Sequence, residues 1–381
     1  MSAYGARELG WECVHLSTSP SAEIEGIRNV CYPLRGTANE SVHPLARDFE
    51  LKVRHAAGVA EAGAQLARTW RPDVVVGHSG LGNILYLRDV FPSARFVTYF
   101  EYYYSTGVEE ATEDPDEDIQ RALHARSRNA MTHLEFDACD AGYTPTLFQH
   151  GLFPPRFRAG IEVIHDGVPT DFWAPDSTRP ARIGELPIDA GTRVLTYCSR
   201  GFESLRGFDT FIEVAARTLA AHDDLVVLVV GEDEVCYGDD RLRTGGRGFK
   251  EWLLEQRSDD LSRLHFLGKL SARDLRDVMR RSDCHVYLTA PFVLSWSLLD
   301  AMSCAAPIVA SDTEPVREVI EHGVHGWLEG FRDIDALTER VLAVLSDGAR
   351  ARECGRAARE RVIERYAESV VHPRLARHII G

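Results

Sequence analysis

The feature that most constrains this chain is the set of five apolar strands that alternate with helices between Arg193 and Ala310. Arg193–Ser199, Leu225–Gly231, Leu264–Leu267, Cys284–Leu288 and Pro307–Ala310 are near-continuous apolar runs. Strands of that kind are covered on both faces, as in a parallel sheet sandwiched by helices. The helical stretches Asp209–Ala220, Ala272–Arg281 and Ile334–Leu345 alternate with them, which predicts a doubly wound α/β domain.

A weaker series of the same type fills the first half. Its strands are Glu12–Leu16, Asp73–Gly77, Arg95–Phe100, Ala141–Thr144 and Glu162–His165, with helical stretches at Pro44–Arg68 and Asp118–Asp137. A chain of 381 residues is long enough for two such domains. The break falls in FWAPDSTRPARIGELPIDAGT (172–192), where three prolines and two glycines interrupt any periodicity. The expected division is an N-terminal domain over 1–172, a linker over 173–192, a C-terminal domain over 193–360 and a last helix at 361–381 that packs back toward the N-terminal domain. Ala349–Tyr366 reads as one long exposed helix. The chain opens with Ser2–Gly10, a helix-end pattern leading into ECVHL. The first strand and glycine turn usual in a nucleotide-binding α/β domain are therefore read as missing.

A formal net charge of −15 argues against general nucleic-acid binding and against charge-driven docking on an anionic membrane. Peripheral membrane association is left open without being indicated. The eight cysteines form no CxxC pair and no zinc-type cluster, and Cys198 and Cys284 sit inside apolar runs. Free thiols in a reducing compartment are the better reading. No apolar run reaches membrane-spanning length and no leader pattern precedes the first strand, so a cytoplasmic protein is expected.

Three segments carry candidate chemistry. RVLTYCSRGFESLRG (193–207) ends a strand on Arg200 and places Arg206 just before a helix. Two guanidiniums beside a helix amino terminus suit a diphosphate, although solvated surface arginines are the commoner fate of such a pair. VYLTAPFVLSWSLLDAMSCAAPIVASDTEPVREVIEHGVHGWL (286–328) is a βαβ unit whose loop lies at the carboxyl end of its first strand, with Asp300 on the helix. DVVVGHSGLGN (73–83) runs a strand into a glycine-rich turn bearing His78 and Ser79. A hydrolase elbow fails there, because Leu81 stands where Gly is needed. The acidic run 109–118 contains Asp114-Pro-Asp116 but follows no apolar strand, so a solvated loop is expected and no metal site. The Gly-rich connection 231–253 is open between a flap over a ligand and a flexible loop.

VIHDGVPTDFWAP (163–175) resembles the linker signature of the family-4 retaining glycosyltransferases of GT-B architecture. RGFESLRGFDTF resembles that family's Arg…Lys diphosphate motif, with Arg206 where Lys is usual. LVVLVVGED, HFLGKLSARDLRDVMRRSDCHVYLTA and the 286–328 segment continue the resemblance in the family's order. It implies two Rossmann-like domains facing across a cleft, with a nucleotide-diphosphate sugar bound mainly on the second. Arg200 and Arg206 would stabilise the leaving diphosphate. Asp300 would hold the ribose, and the amides of Ser295, Trp296 and Ser297 the phosphate or sugar. Gly268 and Lys269 would border the base. Phe292 stands where the family has an acid contacting the sugar. In the first domain, where a cleft histidine followed by an acid is common, this chain has Phe100 and Glu101, so Glu101 inherits the ionisable position, with His78 and Ser79 on the acceptor side. The implied reaction is transfer of a sugar to an acceptor hydroxyl in glycan or glycoconjugate synthesis, with no cofactor and no metal. The acceptor is a glycan, a lipid-linked sugar or a small molecule.

Two rivals stand beside this reading. A catalytically weak or silent homologue, acting as a nucleotide-binding or partner subunit, is suggested by Phe292, Phe100 and the missing strand. A sugar-nucleotide epimerase of the same architecture fits the linker and arginine motifs less well.

Overall fold

The computed structural model describes residues 1–19, 24–34, 41–105, 115–176, 178 and 180–381, with 115–117 described for backbone only. Two compact units emerge, Met1–Gly167 with Ser369–Gly381, and Val168–Glu368. Both are built on parallel sheets with intervening helices, so the α/β expectation holds in each.

The second unit carries a six-stranded parallel sheet. Its central strand is Arg193–Gly201, hydrogen-bonded on one side to Leu225–Glu232 and on the other to Cys284–Tyr287. Leu264–Gly268 lies beyond the first of these, and Ile308–Ser311 then Trp327–Glu329 beyond the second. Alternation along the central strand sends Leu195 and Tyr197 into one hydrophobic cluster with Phe208, Phe211 and Val227. Val194, one residue earlier and on the opposite face of the pleat, joins a different cluster with Leu228 and Val278. Both faces are buried, which is why no polar alternation shows in the sequence. Each fully buried Leu or Phe contributes roughly 1.5–3 kcal/mol through the water it sheds.

The segment expected to be a linker, 173–192, lies wholly within the second unit. Trp173, Ile183 and Ile188 are buried, and Arg182–Ile183 pairs with Leu186–Pro187 in a small antiparallel hairpin. Arg281, only 2% exposed, donates from Nη2 to the Asp189 and Thr192 carbonyls and from Nη1 to Asp283. Pro and Gly break the sequence period here, but a buried guanidinium ties the backbone down. The helix Gly348–Tyr366 also differs from the exposed helix expected. It packs on Trp296–Ser303 and buries Ala351, Cys354, Gly355, Ala358 and Val362. A Cβ on Gly355 would come within 2.3 Å of the Ala305 carbonyl oxygen, so small residues form the contact face and leave little apolar signal.

The first unit has a four-stranded parallel sheet in the order Val74–His78, Arg95–Tyr99, Ala141–Thr144, Ile161–Val163. A separate parallel pair, Cys13–Ser17 with Ile27–Cys31, stands apart from it, and the second of these strands was not evident in the sequence. Between the two pieces lies a cavity of about 210 Å³ bordered by Val14, His15 and Leu16 on one side and Val74, Val75 and Val76 on the other. Consecutive residues line it, so strand edges border the cavity and not one pleat face. The carboxyl-terminal residues Ser369–Gly381 belong to this unit. Val371, Leu375 and Ile379 pack with Val97, Tyr143 and Ile164, while Arg374 and His378 pair with Glu162.

No helix among the described residues is long and apolar enough to cross a membrane. The eight cysteines are free, with Cys284, Cys304 and Cys354 buried and Cys31 exposed. Residues 109–114 of the acidic run lie outside the described residues.

Candidate functional site

In the second unit the strand order turns back at Arg193–Gly201, with successive strands added first on one side and then on the other. This is the 3-2-1-4-5-6 order, in which ligands bind beyond the carboxyl ends of the strands at the switch point. Arg200 stands on the end of the central strand, and residues 288–295 lead from the neighbouring strand into the helix Trp296–Ser303. The topology therefore brings the arginine segment and the 286–328 segment to one crevice.

Arg200 is exposed, and its guanidinium is raised above its ordinary pKa chiefly by hydrogen bonding to the Tyr237 side chain. Arg206 is buried in the single turn Ser204–Arg206. Its Nη1 donates to Thr289 Oγ1 and to the Val293 carbonyl, each at 2.9 Å. Its Cζ lies 5.3 Å from the Tyr237 ring centre and 5.2 Å from that of Phe292. Gly207 then turns the chain into the helix Phe208–Ala221 with φ of +65°. A Cβ there would meet Leu288 Cβ at 2.6 Å, so both conformation and space call for glycine.

Asp300 is half-buried on the helix Trp296–Ser303, and burial pushes its carboxyl up to about 7. Among the described residues its carboxylate makes no hydrogen bond or ion pair, and its charge is felt by the thiols of Cys198 and Cys304. An acceptor so placed can take hydroxyl donors. Ser295 precedes the helix. Its amide donates to the Tyr287 hydroxyl at 2.8 Å, and its hydroxyl meets that of Ser297 at 3.0 Å. The amides of Trp296 and Ser297, first in the helix, have no intrahelical acceptor. The Trp296 side chain is largely exposed and Ser297 is buried. Gly268 ends the edge strand Leu264–Gly268 in open space with φ of +66°, and Lys269 beside it is exposed. That edge lies two strands, roughly 10 Å, from the central one, so these two stand at the flank of the crevice.

In the first unit the carboxyl ends of the strands carry His78, Glu101 and Asp166. His78 Nε2 lies 3.1 Å from Glu101 Oε2, and its Nδ1 lies 2.8 Å from the Ser79 carbonyl. Burial opposes charge on the ring, but the hydrogen bond and charge of Glu101 outweigh it, and the pKa is raised. Ser79 is buried and contributes its carbonyl, while its amide donates to the Tyr99 carbonyl. Phe100 is fully buried among Phe153, Phe157 and Ile161, a core residue. Sequence reasoning missed Asp166, whose carboxylate accepts from Tyr99 Oη at 3.1 Å and is pushed up to about 6 by burial. It also missed Glu135, fully buried, which accepts from the Gly80 amide and is raised to about 7 by burial. The glycine-rich turn was the available signal, since its free amides call for an anion. Among the described residues no group of three or more His, Cys, Asp or Glu side chains is placed to hold a metal ion.

Comparison with known proteins identifies the family and agrees with the fold. The family model of the glycosyl transferase family 4 group matches residues 9–173, and that of glycosyl transferases group 1 matches residues 179–361. The chain is 26% identical over 217 residues to alpha-maltose-1-phosphate synthase of Mycobacterium tuberculosis, covering 54% of this chain and 53% of that one. It thus spans about half the length of such curated relatives. In structure it is similar to sucrose-phosphate synthase from Thermosynechococcus elongatus, with a TM-score of 0.71, 18% identity and coverage of 98% of this chain and 89% of that one. It is also similar to Anabaena HepE, solved in complex with UDP and glucose, with a TM-score of 0.65, 16% identity and coverage of 92% and 86%. With the two family models joined end to end along almost all of its length, the chain belongs to the family-4, group-1 glycosyltransferases and shares their GT-B architecture.

Proposed function

We propose that this protein is a retaining glycosyltransferase, moving a sugar from a nucleoside-diphosphate sugar to an acceptor hydroxyl in cytoplasmic glycan or glycoconjugate synthesis. The observation that carries the reading is the crevice at the strand switch point. Two arginine residues and a half-buried carboxylate with no partner among the described residues stand on the segments that border it, which is the complement of a diphosphate and a ribose. Anabaena HepE, similar in fold, was solved with ligands of this class, UDP and glucose.

In this reading the bond between the anomeric carbon and the β-phosphate oxygen breaks, and its electron pair stays on the diphosphate. Arg200 and Arg206 stabilise the charge that develops there. The acceptor oxygen bonds the anomeric carbon on the face the diphosphate leaves, and the acceptor proton passes to a diphosphate oxygen. Asp300 accepts from the ribose hydroxyls, and the Trp296 and Ser297 amides donate to phosphate or sugar. Gly268 and Lys269 border the base. Glu101, with His78 and Ser79, serves the acceptor. The guanidiniums supply the charge that a metal would otherwise bring, and no cofactor takes part. The acceptor is a glycan, a lipid-linked sugar or a small molecule, and no nucleic acid is bound.

The test is a panel of nucleotide sugars, first by thermal shift and then by NMR of the anomeric proton during turnover with candidate acceptors. A raised melting temperature with one donor, and product of unchanged anomeric configuration, is the expected result. Inverted product would sink the retaining assignment. Donor binding without any sugar consumption would favour the silent-homologue reading, which Phe292 at the sugar-contacting position specifically supports.

A further inference from the structure

The Gly-rich connection 231–253, open in the sequence between a flap and a flexible loop, follows the strand Leu225–Glu232. In the structure it is fastened at several points. Glu203 is fully buried, and its Oε2 accepts three consecutive amides, from Cys236 at 3.1 Å and from Tyr237 and Gly238 at 2.9 Å each. Asp240 accepts the Ser204 amide at 2.7 Å and the Ser204 hydroxyl. Asp233 accepts the Lys250 amide at 2.8 Å. Glu203 and Ser204 stand three and two residues before Arg206, at the start of its turn, so the same bonds join the Arg206 turn to the loop that bears Tyr237.

What the fastening holds in place is one aromatic side chain between two cations. Tyr237 lays its ring over the Arg206 guanidinium, makes a wedge with Phe292 at a ring separation of 5.3 Å, and interacts through its side chain with Arg200. It is 46% exposed, so little of its surface serves the core. A long arginine loses rotamer freedom when it engages a ligand. A ring face on Arg206 and a side-chain partner on Arg200 offset part of that cost before a ligand arrives.

We infer that Tyr237 is a positioning residue of the diphosphate site, setting the spacing of Arg200 and Arg206, and that Glu203 is the anchor that keeps it there. This rests on the nucleoside-diphosphate reading above and assigns to that site two residues outside its motifs. The effect belongs to the second phosphate, which needs both arginines, and a monophosphate needs only one of them.

Calorimetry on the full chain with UDP, GDP and ADP, each beside its monophosphate, separates the cases. Expected are a loss of about threefold in diphosphate affinity for Tyr237→Phe and about tenfold or more for Tyr237→Ala, with monophosphate affinity kept within about twofold. Glu203→Gln, which retains an acceptor for the loop amides, should fall between wild type and Tyr237→Ala. Melting curves within a few degrees of wild type would confirm that the exposed Tyr237 variants fold. Diphosphate affinity unchanged in Tyr237→Ala overturns the inference and leaves the functional reading standing. Equal losses for mono- and diphosphate overturn it as well, because they report general damage. Failure of wild type to bind any of the three diphosphates sinks the functional reading itself, and the inference with it.

Discussion

His78 and Glu101 form a pair that favours the cationic imidazole. Nε2 faces the Glu101 carboxylate at 3.1 Å and Nδ1 faces the Ser79 carbonyl at 2.8 Å, so the charged ring, with both nitrogens donating, matches the acceptors on its two sides. The folded pKa of His78 is raised, so its contribution to stability is full below the ordinary histidine value and is lost as pH rises through the folded value. NMR titration of the His78 ring should show a midpoint above that of a free histidine. Glu101→Gln should bring it down, since the opposing burial remains. A midpoint that Glu101→Gln leaves unmoved would refute the pair.

Asp300 gives a second pH-dependent test. Burial raises its carboxyl to about 7, so protonation is favoured in the folded chain between the ordinary aspartate value and that point. In the proposed complex ribose hydroxyls donate to the carboxylate, so nucleotide affinity should rise between about pH 6 and 8. Asp300→Asn should lower affinity by about tenfold and remove the part of the rise owed to the protein. The phosphate's own titration is common to both proteins and cancels. A parallel pH profile in the variant counts against Asp300 as the ribose ligand.

The two arginines should respond differently to removal. Arg200 is exposed, so Arg200→Ala should melt like wild type and lose about 10- to 100-fold in diphosphate affinity. Arg206 is buried and holds Thr289 and Val293, so Arg206→Ala should cost about 2–4 kcal/mol of stability as well as binding. Denaturant unfolding of the pair of variants checks this. Equal stability loss in both would contradict the buried placement of Arg206.

Arg281 should prove structural. Its guanidinium is buried against Asp283 and the carbonyls of Asp189 and Thr192, and Arg281→Ala should destabilise by about 3–5 kcal/mol. Limited proteolysis should then open the chain near residues 182–192 in the variant before it does so in wild type. Early cleavage there in wild type would show that this segment is not held.

The donor-side strands were legible because a parallel strand covered on both faces leaves an uninterrupted apolar run, as Val227, Leu228, Val229 and Val230 do. Arg200, Arg206 and Asp300 were legible on other grounds, the resemblance of the motifs that hold them, and the structure places all three at the carboxyl side of those strands. Ile27–Cys31 was not, since none of its residues is fully buried and its pattern carries no period. Nor was the burial of Gly348–Tyr366, whose contact face is made of Ala, Gly, Cys and Val.

The sequence by itself determined the alternation of strand and helix, the family and the chemistry available at each strand end. These depend on residue type and on spacing along the chain. The tertiary structure alone decided the partners. It buried Arg206 between Tyr237 and Phe292, gave Glu203 three amides to hold, left the Asp300 carboxylate with no hydrogen bond or ion pair among the described residues and set Asp166 against Tyr99. Charge, burial and hydrogen bonding act through space, and residues 30 or 60 positions apart meet only when the sheet has formed.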